Sequence, residues 1–338
     1  MRTTIRDIAE YCGVSEGTVD RAINNRFGIS EKTKKRILDA AKELNYVPNY
    51  TGRSLATGST KTIGILCFDL YNNFFPQLID TIEARAKENG YFIYLILTHK
   101  DFGLEEEGLK YLVSRQVDGI ILFPVGTGMD YVRFLKGTDI PVVTIYNRIS
   151  SDFSFVGVND RQAMKDAVDH IVSHNYKKII YFTPDITTQE QMHLNTYTLR
   201  QRQNGYLDGI KFHNMEPVII QGSSKERLEE AYTCLDESVK TACLCMCDSY
   251  ALRILDFFKE KGVDVPGQVG LMGYDDIEPL RYISPRLTTI KYSVKKMGEI
   301  IFDTLFEVIK TQAKKKHMLE YEIVEGETIV RRNRKVFL

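Results

Sequence analysis

Gly13-Val14-Ser15-Glu16-Gly17 has a spacing that could support chemistry, because it satisfies the G-x-S-x-G pattern of a serine-hydrolase elbow. That elbow needs a strand before the serine and a helix after it. Here the preceding residues have the apolar spacing of a short amphipathic helix, so we predict that Ser15 caps a helix and is not a nucleophile. The glycine-rich loops of P-loop and dinucleotide-binding folds are also missing from the sequence. We therefore predict no enzyme activity, no catalytic residue and no cofactor.

Two further groups of residues are potential metal ligands. His170 and His174 are four residues apart, which places both imidazoles on one face of a helix. A zinc site needs three or four ligands and no third one is evident, so we favour a solvated pair over a metal site. Cys243, Cys245 and Cys247 alternate with apolar residues, and we expect their thiols on one face of a strand, too linear for tetrahedral coordination. We predict no metal.

Composition limits the class of protein. The chain has 338 residues, and its 45 lysines and arginines balance 45 acidic residues, which excludes a uniform polycation. This length suggests about two domains. No run of about 18 uncharged apolar residues indicates a membrane span. The first residues lack the apolar stretch of a secretory signal and the six cysteines suit a reducing compartment, so we expect a cytoplasmic protein.

The first 60 residues differ from the rest. They carry ten basic and seven acidic side chains, a local charge of +3. Apolar residues at helical spacing predict three short helices, which begin after Thr4, Ser15 and Ser30. A tight turn at Gly13 separates the first two, the arrangement of a helix-turn-helix. Residues 46–60 predict a linker with at most a weak helix, because a glycine lies in its middle.

From Lys61 onward, strand and helix patterns alternate. Near-continuous apolar runs of this kind are typical of parallel sheets covered by helices on both faces. The strands divide into two groups near residues 147–160. We predict an α/β fold: two doubly wound parallel-sheet lobes with a cleft between them, preceded by a small all-α helix-turn-helix headpiece. The predicted strands are residues 63–68, 92–97, 119–123, 142–145, 179–182, 218–220, 242–246 and 269–272.

Several motifs together resemble one known family. TIRDIAEYCGVS at residues 4–15 and ELNYVPN at 43–49 are similar to the N-terminus of lactose-repressor (LacI) family regulators. GYDD at 273–276 and LTTI at 287–290 resemble C-terminal motifs of that family. The resemblance covers the chain in order and spacing. It implies a dimeric repressor with a DNA-reading headpiece and a core like the periplasmic type of sugar-binding protein, in which a small effector changes operator affinity.

The resemblance also implies domain boundaries. We predict a headpiece at residues 1–46, a hinge helix or linker at 47–59 and an effector-binding core at 60–338. Within the core, the N-lobe comprises about 60–158 and 291–319, and the C-lobe about 159–290 and 320–338.

By similarity to the family, the second helix enters the major groove with its N-terminal residues at base edges. Glu16, Gly17 and Arg21 then contact bases, because Arg21 can donate to guanine and Glu16 can accept from cytosine. Glu16 and the nearby Asp20 could also pair with Arg21 or Arg26, or only solvate the helix. In the family, a leucine at the position of Leu55 wedges a central base step and kinks the duplex. The other predicted DNA-binding residues are Thr4, Ser15, Thr18, Asn24 and Asn49.

The resemblance places a ligand site in the cleft. Arg202 corresponds to a ligand arginine of the family, and Asp275 would accept hydrogen bonds from two vicinal hydroxyls. Aromatic side chains stack on the C–H face of a sugar ring, although one of Phe74 and Phe75 could instead pack against the core. Cys247 stands where relatives carry an asparagine. The predicted ligand-binding residues are Asn73, Phe74, Phe75, Asn147, Arg148, Arg202, Cys247, Asp275 and Tyr292.

These features predict a repressor whose affinity for a palindromic operator is controlled by a sugar or polyol. A phosphorylated sugar stays open if Arg148 points inward. The expected partners are double-stranded DNA, the effector and a second copy of the chain, without a membrane. The alternative function is a sugar-binding transport or chemoreception protein without a DNA role. A doubly wound hydrolase is a weaker alternative, since no nucleophile, base and orienting group come together.

Overall fold

The computed structural model describes residues 3–47, 58–71, 73–235 and 238–330. The chain divides into two compact units, Met1–Thr60 and Lys61–Leu338. Within the described segments, no helix combines the length and hydropathy needed to cross a membrane.

Three helices make up the described part of the first unit: α1 (Ile5–Cys12), α2 (Glu16–Ile23) and α3 (Glu31–Glu43). The predicted caps are confirmed, because each cap hydroxyl accepts a backbone N–H three residues later. Gly13 ends α1 with a left-handed backbone (φ 60°), which turns the chain towards α2. The three helices share a small apolar core whose fully buried members include Ile8, Val19, Ala22 and Ile37.

Two six-stranded sheets form the second unit. The first contains β1 (Thr62–Cys67), β2 (Phe92–Leu97), β3 (Gly119–Leu122), β4 (Val142–Ile145), β5 (Ser154–Val158) and β11 (Lys316–Leu319). The second contains β6 (Lys178–Thr183), β7 (Val218–Gln221), β8 (Thr241–Cys245), β9 (Val269–Tyr274), β10 (Thr288–Lys291) and β12 (Glu322–Val324). All pairings are parallel except β10 with β12.

Helices connect the strands, as parallel pairing requires. Those connected with the first sheet are α4 (Phe74–Glu88), α5 (Phe102–Ser114), α6 (Met129–Gly137) and α12 (Val294–Thr311). Those connected with the second are α7 (Asp160–Ser173), α8 (Ile186–Gln191), α9 (Tyr197–Phe212), α10 (Lys225–Thr233) and α11 (Asp248–Glu260), with a 3₁₀ turn at Glu278–Tyr282. The predicted α/β class with two doubly wound sheets and a helical headpiece is confirmed.

The two sheets have the same strand order. Their strand orders are β2-β1-β3-β4-β5-β11 and β7-β6-β8-β9-β10-β12, so each has a switch point beside its first strand. Ligands bind at the carboxyl ends of strands at such a point. The chain passes from one sheet to the other after β5, after β10 and after β11. These crossings bring the strand ends of both sheets to one place.

The sequence patterns missed four strands and misplaced one cysteine. Strands β5, β10, β11 and β12 are three to five residues long and were not predicted; β11 and β12 are also exposed or half-buried over most of their length and have no continuous apolar run. The prediction that the three cysteines share one strand face is wrong for Cys247. Cys243 and Cys245 pack in one apolar cluster, but β8 ends at Cys245, and Cys247 caps α11 and packs in a different cluster.

Candidate functional site

A cavity of about 350 Å³ lies where the strand ends of both sheets meet. Phe68 and Pro124 follow β1 and β3 of the first sheet, and Pro184 and Met246 follow β6 and β8 of the second. The cavity therefore occupies both switch points at once. Seven predicted ligand-binding residues line it: Phe74, Phe75, Asn147, Arg202, Cys247, Asp275 and Tyr292.

Asn73 and Arg148 are not among the described residues that line the cavity, and their role in ligand binding stays a prediction. Helix α4 begins at Phe74 and turns both phenylalanines into the cavity, while Asn73 stays at the helix end without a side-chain cap bond. The backbone oxygen of Arg148 accepts a hydrogen bond from Asn195 at 3.2 Å. Arg148 has a buried Nε without a partner among the described residues.

Arg202 is the central cation of the site. Helix α9 carries it, and only 3% of its surface is exposed. Its Nε donates to Asp160 at 2.8 Å and its Nη1 to the Met246 carbonyl oxygen at 2.5 Å, while its guanidinium stacks 3.6 Å from the ring centroid of Tyr274. Burial disfavours the charged form, but Asp160 and the other polar neighbours outweigh it and raise the pKa of Arg202. These two hydrogen bonds use Nε and one N–H of Nη1, so both N–H groups of Nη2 are left for a ligand among the described residues.

Asp275 faces this guanidinium, with Oδ1 3.6 Å from Nη2 of Arg202 and 3.0 Å from the hydroxyl of Tyr292, which donates to it. Burial raises its pKa to about 6, although Arg202 and the Tyr292 hydrogen bond act in the opposite direction. Its backbone has a φ of 113°, which costs energy in any residue other than glycine. A strained backbone and a poorly solvated carboxyl group are typical of functional positions.

A buried carboxyl group, Asp248, supports the Asp275 turn. It accepts from the backbone N–H of Ile277 at 3.0 Å and from the Thr289 hydroxyl at 2.6 Å, which ties α11 to the turn and to β10. A Cβ on Gly273 would lie 2.0 Å from Asp248 Oδ1, so glycine is needed there. Gly273 of the GYDD motif therefore leaves space for the Asp248 side chain, which holds the Asp275 turn in place.

Asn147 has its amide occupied by the protein. Its Nδ2 donates to the carbonyl oxygens of Pro124 at 3.2 Å and Asn195 at 2.9 Å, and its Oδ1 accepts from the Thr198 N–H at 3.1 Å. These bonds join the loop after β4 to the start of α9. The geometry gives Asn147 a positioning role and leaves little capacity for a ligand.

Aromatic side chains form the wall beside α4. Phe74 lies 5.2 Å from Phe75 and 6.1 Å from Tyr292 between ring centroids. Phe68 packs edge-on against Tyr146 at 5.7 Å. Both phenylalanines of α4 line the cavity and also pack in the core, so the two alternatives considered for them are compatible.

The sequence analysis missed several lining residues, including Phe68, Asp69, Lys100, Gln189 and Arg253. Phe68 and Asp69 follow β1, and Lys100 follows β2. Three of the five therefore obey the rule that ligand sites gather at the carboxyl ends of parallel strands. That rule, applied to every predicted strand, would have found those three.

In the headpiece, Glu16, Gly17 and Arg21 are exposed on α2, as a DNA-reading surface requires. Asp20 is engaged, since its carboxylate accepts from Asn24 at 2.7 Å and from Arg26 at 3.0 Å. Of the alternatives considered for Asp20, the structure shows the ion pair with Arg26. Among the described residues, Arg21 makes no ion pair.

The cap residues Thr4 and Ser15 use their hydroxyls within the headpiece. The Ser15 hydroxyl lies 2.9 Å from that of Thr18, and Thr4 forms a reciprocal capping box with Asp7. Asn49 and Leu55 lie outside the described residues, as does most of the predicted linker.

Comparisons with known proteins agree with this architecture. Residues 4–49 match the family described as bacterial regulatory proteins, lacI family, and residues 168–329 match a periplasmic binding protein-like domain. The chain is 30% identical over 338 residues to the HTH-type transcriptional repressor PurR of Vibrio atlanticus (strain LGP32), with 96% of this chain and 98% of that protein covered.

Solved structures share the fold. A periplasmic binding protein/LacI transcriptional regulator from Alkaliphilus metalliredigens QYMF complexed with D-xylulofuranose is 26% identical with a TM-score of 0.68, covering 80% of this chain and 99% of that one. The lac repressor dimer bound to operator and the anti-inducer ONPF has a TM-score of 0.86 at 22% identity, with 98% and 100% covered.

A helix-turn-helix unit followed by a two-sheet core with a cavity at its strand ends defines a class of DNA-binding transcriptional regulators. The chain belongs to the lacI family of bacterial regulatory proteins. It is a transcriptional regulator and not an enzyme, and the alternative of a transport or chemoreception protein without a DNA role is rejected.

Proposed function

We propose that the cavity binds a neutral monosaccharide or polyol and that its occupancy controls the affinity of the headpiece for a palindromic operator. The observation that carries this proposal is the buried pair of Arg202 and Asp275, 3.6 Å apart beside the cavity. This separation is too long for a direct hydrogen bond. Two vicinal hydroxyls, one donating to Asp275 and one accepting from Arg202, would satisfy both groups.

Charge balance favours a neutral ligand. The described lining includes three cationic and two acidic side chains: Lys100, Arg202, Arg253, Asp69 and Asp275. Asp160 adds a third carboxylate directly behind Arg202, at 2.8 Å. A polyanion would have to approach two buried acids, which costs energy in a poorly solvated site. Arg148, which would have supported a sugar phosphate, is not among the described lining residues.

Size and shape favour a small ring. About 350 Å³ is near the lower end of the roughly 300–1,000 Å³ range of small-molecule sites. The rings of Phe74 and Tyr292, 6.1 Å apart, give the apolar wall on which the C–H face of a sugar packs. Polar groups and aromatic rings in one small cavity match the hydroxyls and the C–H face of a monosaccharide.

For the DNA half of the proposal, we assign base contacts to Glu16, Gly17 and Arg21, with Ser15, Thr18 and Asn24 nearer the phosphates. A homodimer would present two copies of α2 to the two halves of a palindrome. Leu55 would wedge a central base step. A segment that orders only on binding can be released by a small shift elsewhere, and we propose that the linker connects the two functions in this way. In this proposal, the predicted headpiece (1–46) binds DNA, the linker (47–59) connects it to the core, and the core (60–338) binds the effector.

Calorimetric titration of the full chain tests the ligand. The panel contains monosaccharides, polyols, sugar phosphates and purine bases. We expect binding of a neutral sugar or polyol, lost in Asp275→Asn and retained in Asp276→Asn, the adjacent carboxyl group that is not among the described lining residues. Binding of purines alone, or equal binding by both variants, would overturn the proposed ligand class.

Selection from a random duplex pool, with and without each sugar that binds, tests the DNA half. We expect a palindromic consensus whose affinity changes with the sugar and falls steeply as salt rises. Leu55→Ala should lose operator affinity in a gel-shift titration while its sugar affinity stays unchanged. Unaltered operator affinity in this variant would contradict the wedge.

A further inference from the structure

Two imidazoles and a carboxylate come together on the outer helix of the second sheet, away from the cavity. His170 and His174 lie one turn apart near the end of α7, and Glu325 directly follows β12. One ligand atom from each residue lies within 4.8 Å of the other two. We propose that these three side chains form a binding site for a transition-metal ion of the zinc type.

The fold brings the third ligand from the far end of the chain. On one side of Glu325, the hydroxyl of Tyr321 donates to Asp166 of α7 at 2.6 Å. On the other side, Nζ of Lys240 donates to the carbonyl oxygens of His174 at 2.8 Å and Val330 at 2.6 Å. The segment that carries Glu325 is thus tied to α7 both before and after it. Ligand placement therefore needs no backbone rearrangement.

The two imidazoles have the hydrogen-bond state that a metal needs. Nδ1 of His174 lies 2.9 Å from the carbonyl oxygen of His170. A carbonyl oxygen only accepts, so this hydrogen bond requires the tautomer with the proton on Nδ1, in which Nε2 has a lone pair for a metal. A hydrogen bond from the ring nitrogen that does not bind the metal is the usual way in which a metal-binding histidine is oriented. Nε2 of His170 is buried and has no hydrogen-bond partner among the described residues, a cost that a metal bond would remove.

The donor set selects the metal class. Two imidazole nitrogens and one carboxylate oxygen suit Zn²⁺, Co²⁺, Ni²⁺ or Cu²⁺, whereas Ca²⁺ and Mg²⁺ prefer oxygen ligands alone. Tetrahedral zinc ligands are separated by about 3.3 Å, given Zn–N bonds of about 2.0 Å. The three ligand atoms lie within 4.8 Å of one another, so metal binding would need small rotations of these side chains, among which Glu325 is exposed. A water molecule would take the fourth position, and the ion would cross-link α7 to the segment after β12.

Titration of the full-length, tag-free, chelator-treated chain with ZnCl₂ tests the proposal. We expect one high-affinity ion per chain and a rise in Tm with zinc, because a ligand that binds only the folded state stabilises it. Ca²⁺ and Mg²⁺ should give neither. Titration with CoCl₂ should give a tetrahedral spectrum without a thiolate charge-transfer band, which separates this site from one formed by the cysteines.

Glu325→Gln and His170→Gln should each lower zinc affinity by tenfold or more. His193→Gln, which removes an exposed imidazole elsewhere in the second unit, should leave it unchanged. Circular dichroism checks that each variant folds. Because Glu325 is exposed, Glu325→Gln still tests the site if His170→Gln does not fold. No zinc binding by the wild-type chain, a thiolate spectrum, or equal affinity in all three variants would overturn the site.

Discussion

Replacement of Asp275 by asparagine makes the electrostatics of the cavity measurable. Burial raises the pKa of this carboxyl group from the ordinary 3.8 to about 6 in the folded protein. Between these two pH values the unfolded chain releases the proton and the folded chain keeps it. The folded state therefore binds more protons, and stability falls as pH rises. A tenfold change in acid strength corresponds to about 1.4 kcal/mol, so the total loss is about 3 kcal/mol, spread from about pH 3 to about pH 7.

Asparagine at this position does not titrate. Its amide oxygen can still accept from the Tyr292 hydroxyl, and Arg202 keeps its bond to Asp160 at 2.8 Å. Relative to Asp275→Asn, the wild-type protein should thus lose about 3 kcal/mol of unfolding free energy between about pH 3 and about pH 7. Urea denaturation followed by far-ultraviolet circular dichroism measures this difference, since the chain has no tryptophan.

A second carboxyl variant, Asp208→Asn, should show the opposite dependence of stability on pH. Hydrogen bonding to Arg161 lowers the pKa of Asp208, so the wild-type chain should gain stability relative to Asp208→Asn as pH rises. A difference between wild type and Asp275→Asn that does not change with pH would refute the argument that this carboxyl group is buried at an energetic cost. The same variant also enters the ligand titration, so stability and binding can be compared directly.

Four other substitutions have outcomes that follow from local geometry. Gly205→Ala should lower the unfolding free energy by about 3 kcal/mol, because the new Cβ would lie 2.1 Å from a carbonyl oxygen of α7. A Cβ added at Gly137 has no atom within 4 Å, so Gly137→Ala should raise the unfolding free energy by up to about 1 kcal/mol. Equal melting temperatures for Gly205→Ala and Gly137→Ala would contradict the close contact at Gly205. Glu105→Ala should cost about 3 kcal/mol in urea denaturation, since two buried N–H groups and a tyrosine hydroxyl lose their acceptor; a change below about 1 kcal/mol would contradict this role. Ser15→Ala should destabilise α2 by about 1 kcal/mol and weaken DNA binding in anisotropy titrations, because the Thr18 N–H loses its cap; unchanged values of both would show that the cap is dispensable.

Local patterns were sufficient for the elements whose formation depends on neighbours along the chain. Helix caps at Thr4, Ser15 and Ser30 and the long apolar strands such as Phe92–Leu97 were predicted from spacing alone. These features depend on side chains within a few residues of one another, and sequence spacing records such contacts directly. The family resemblance added the residues of the cavity, including Arg202 and Asp275.

Distant contacts required the folded chain. Strand β11 exists because it pairs with β5, and its half-exposed residues have no apolar period of their own. The same holds for the state of each polar group: Asn147 is occupied by three backbone partners from two other segments, and Arg148 does not line the cavity among the described residues. Glu325 meets His174 only because the chain crosses between sheets three times. Spacing along the chain indicates which face of a helix or strand a side chain occupies. The partners of that side chain depend on how distant segments are brought together. For a polar group, those partners decide whether it can still form a hydrogen bond with a ligand.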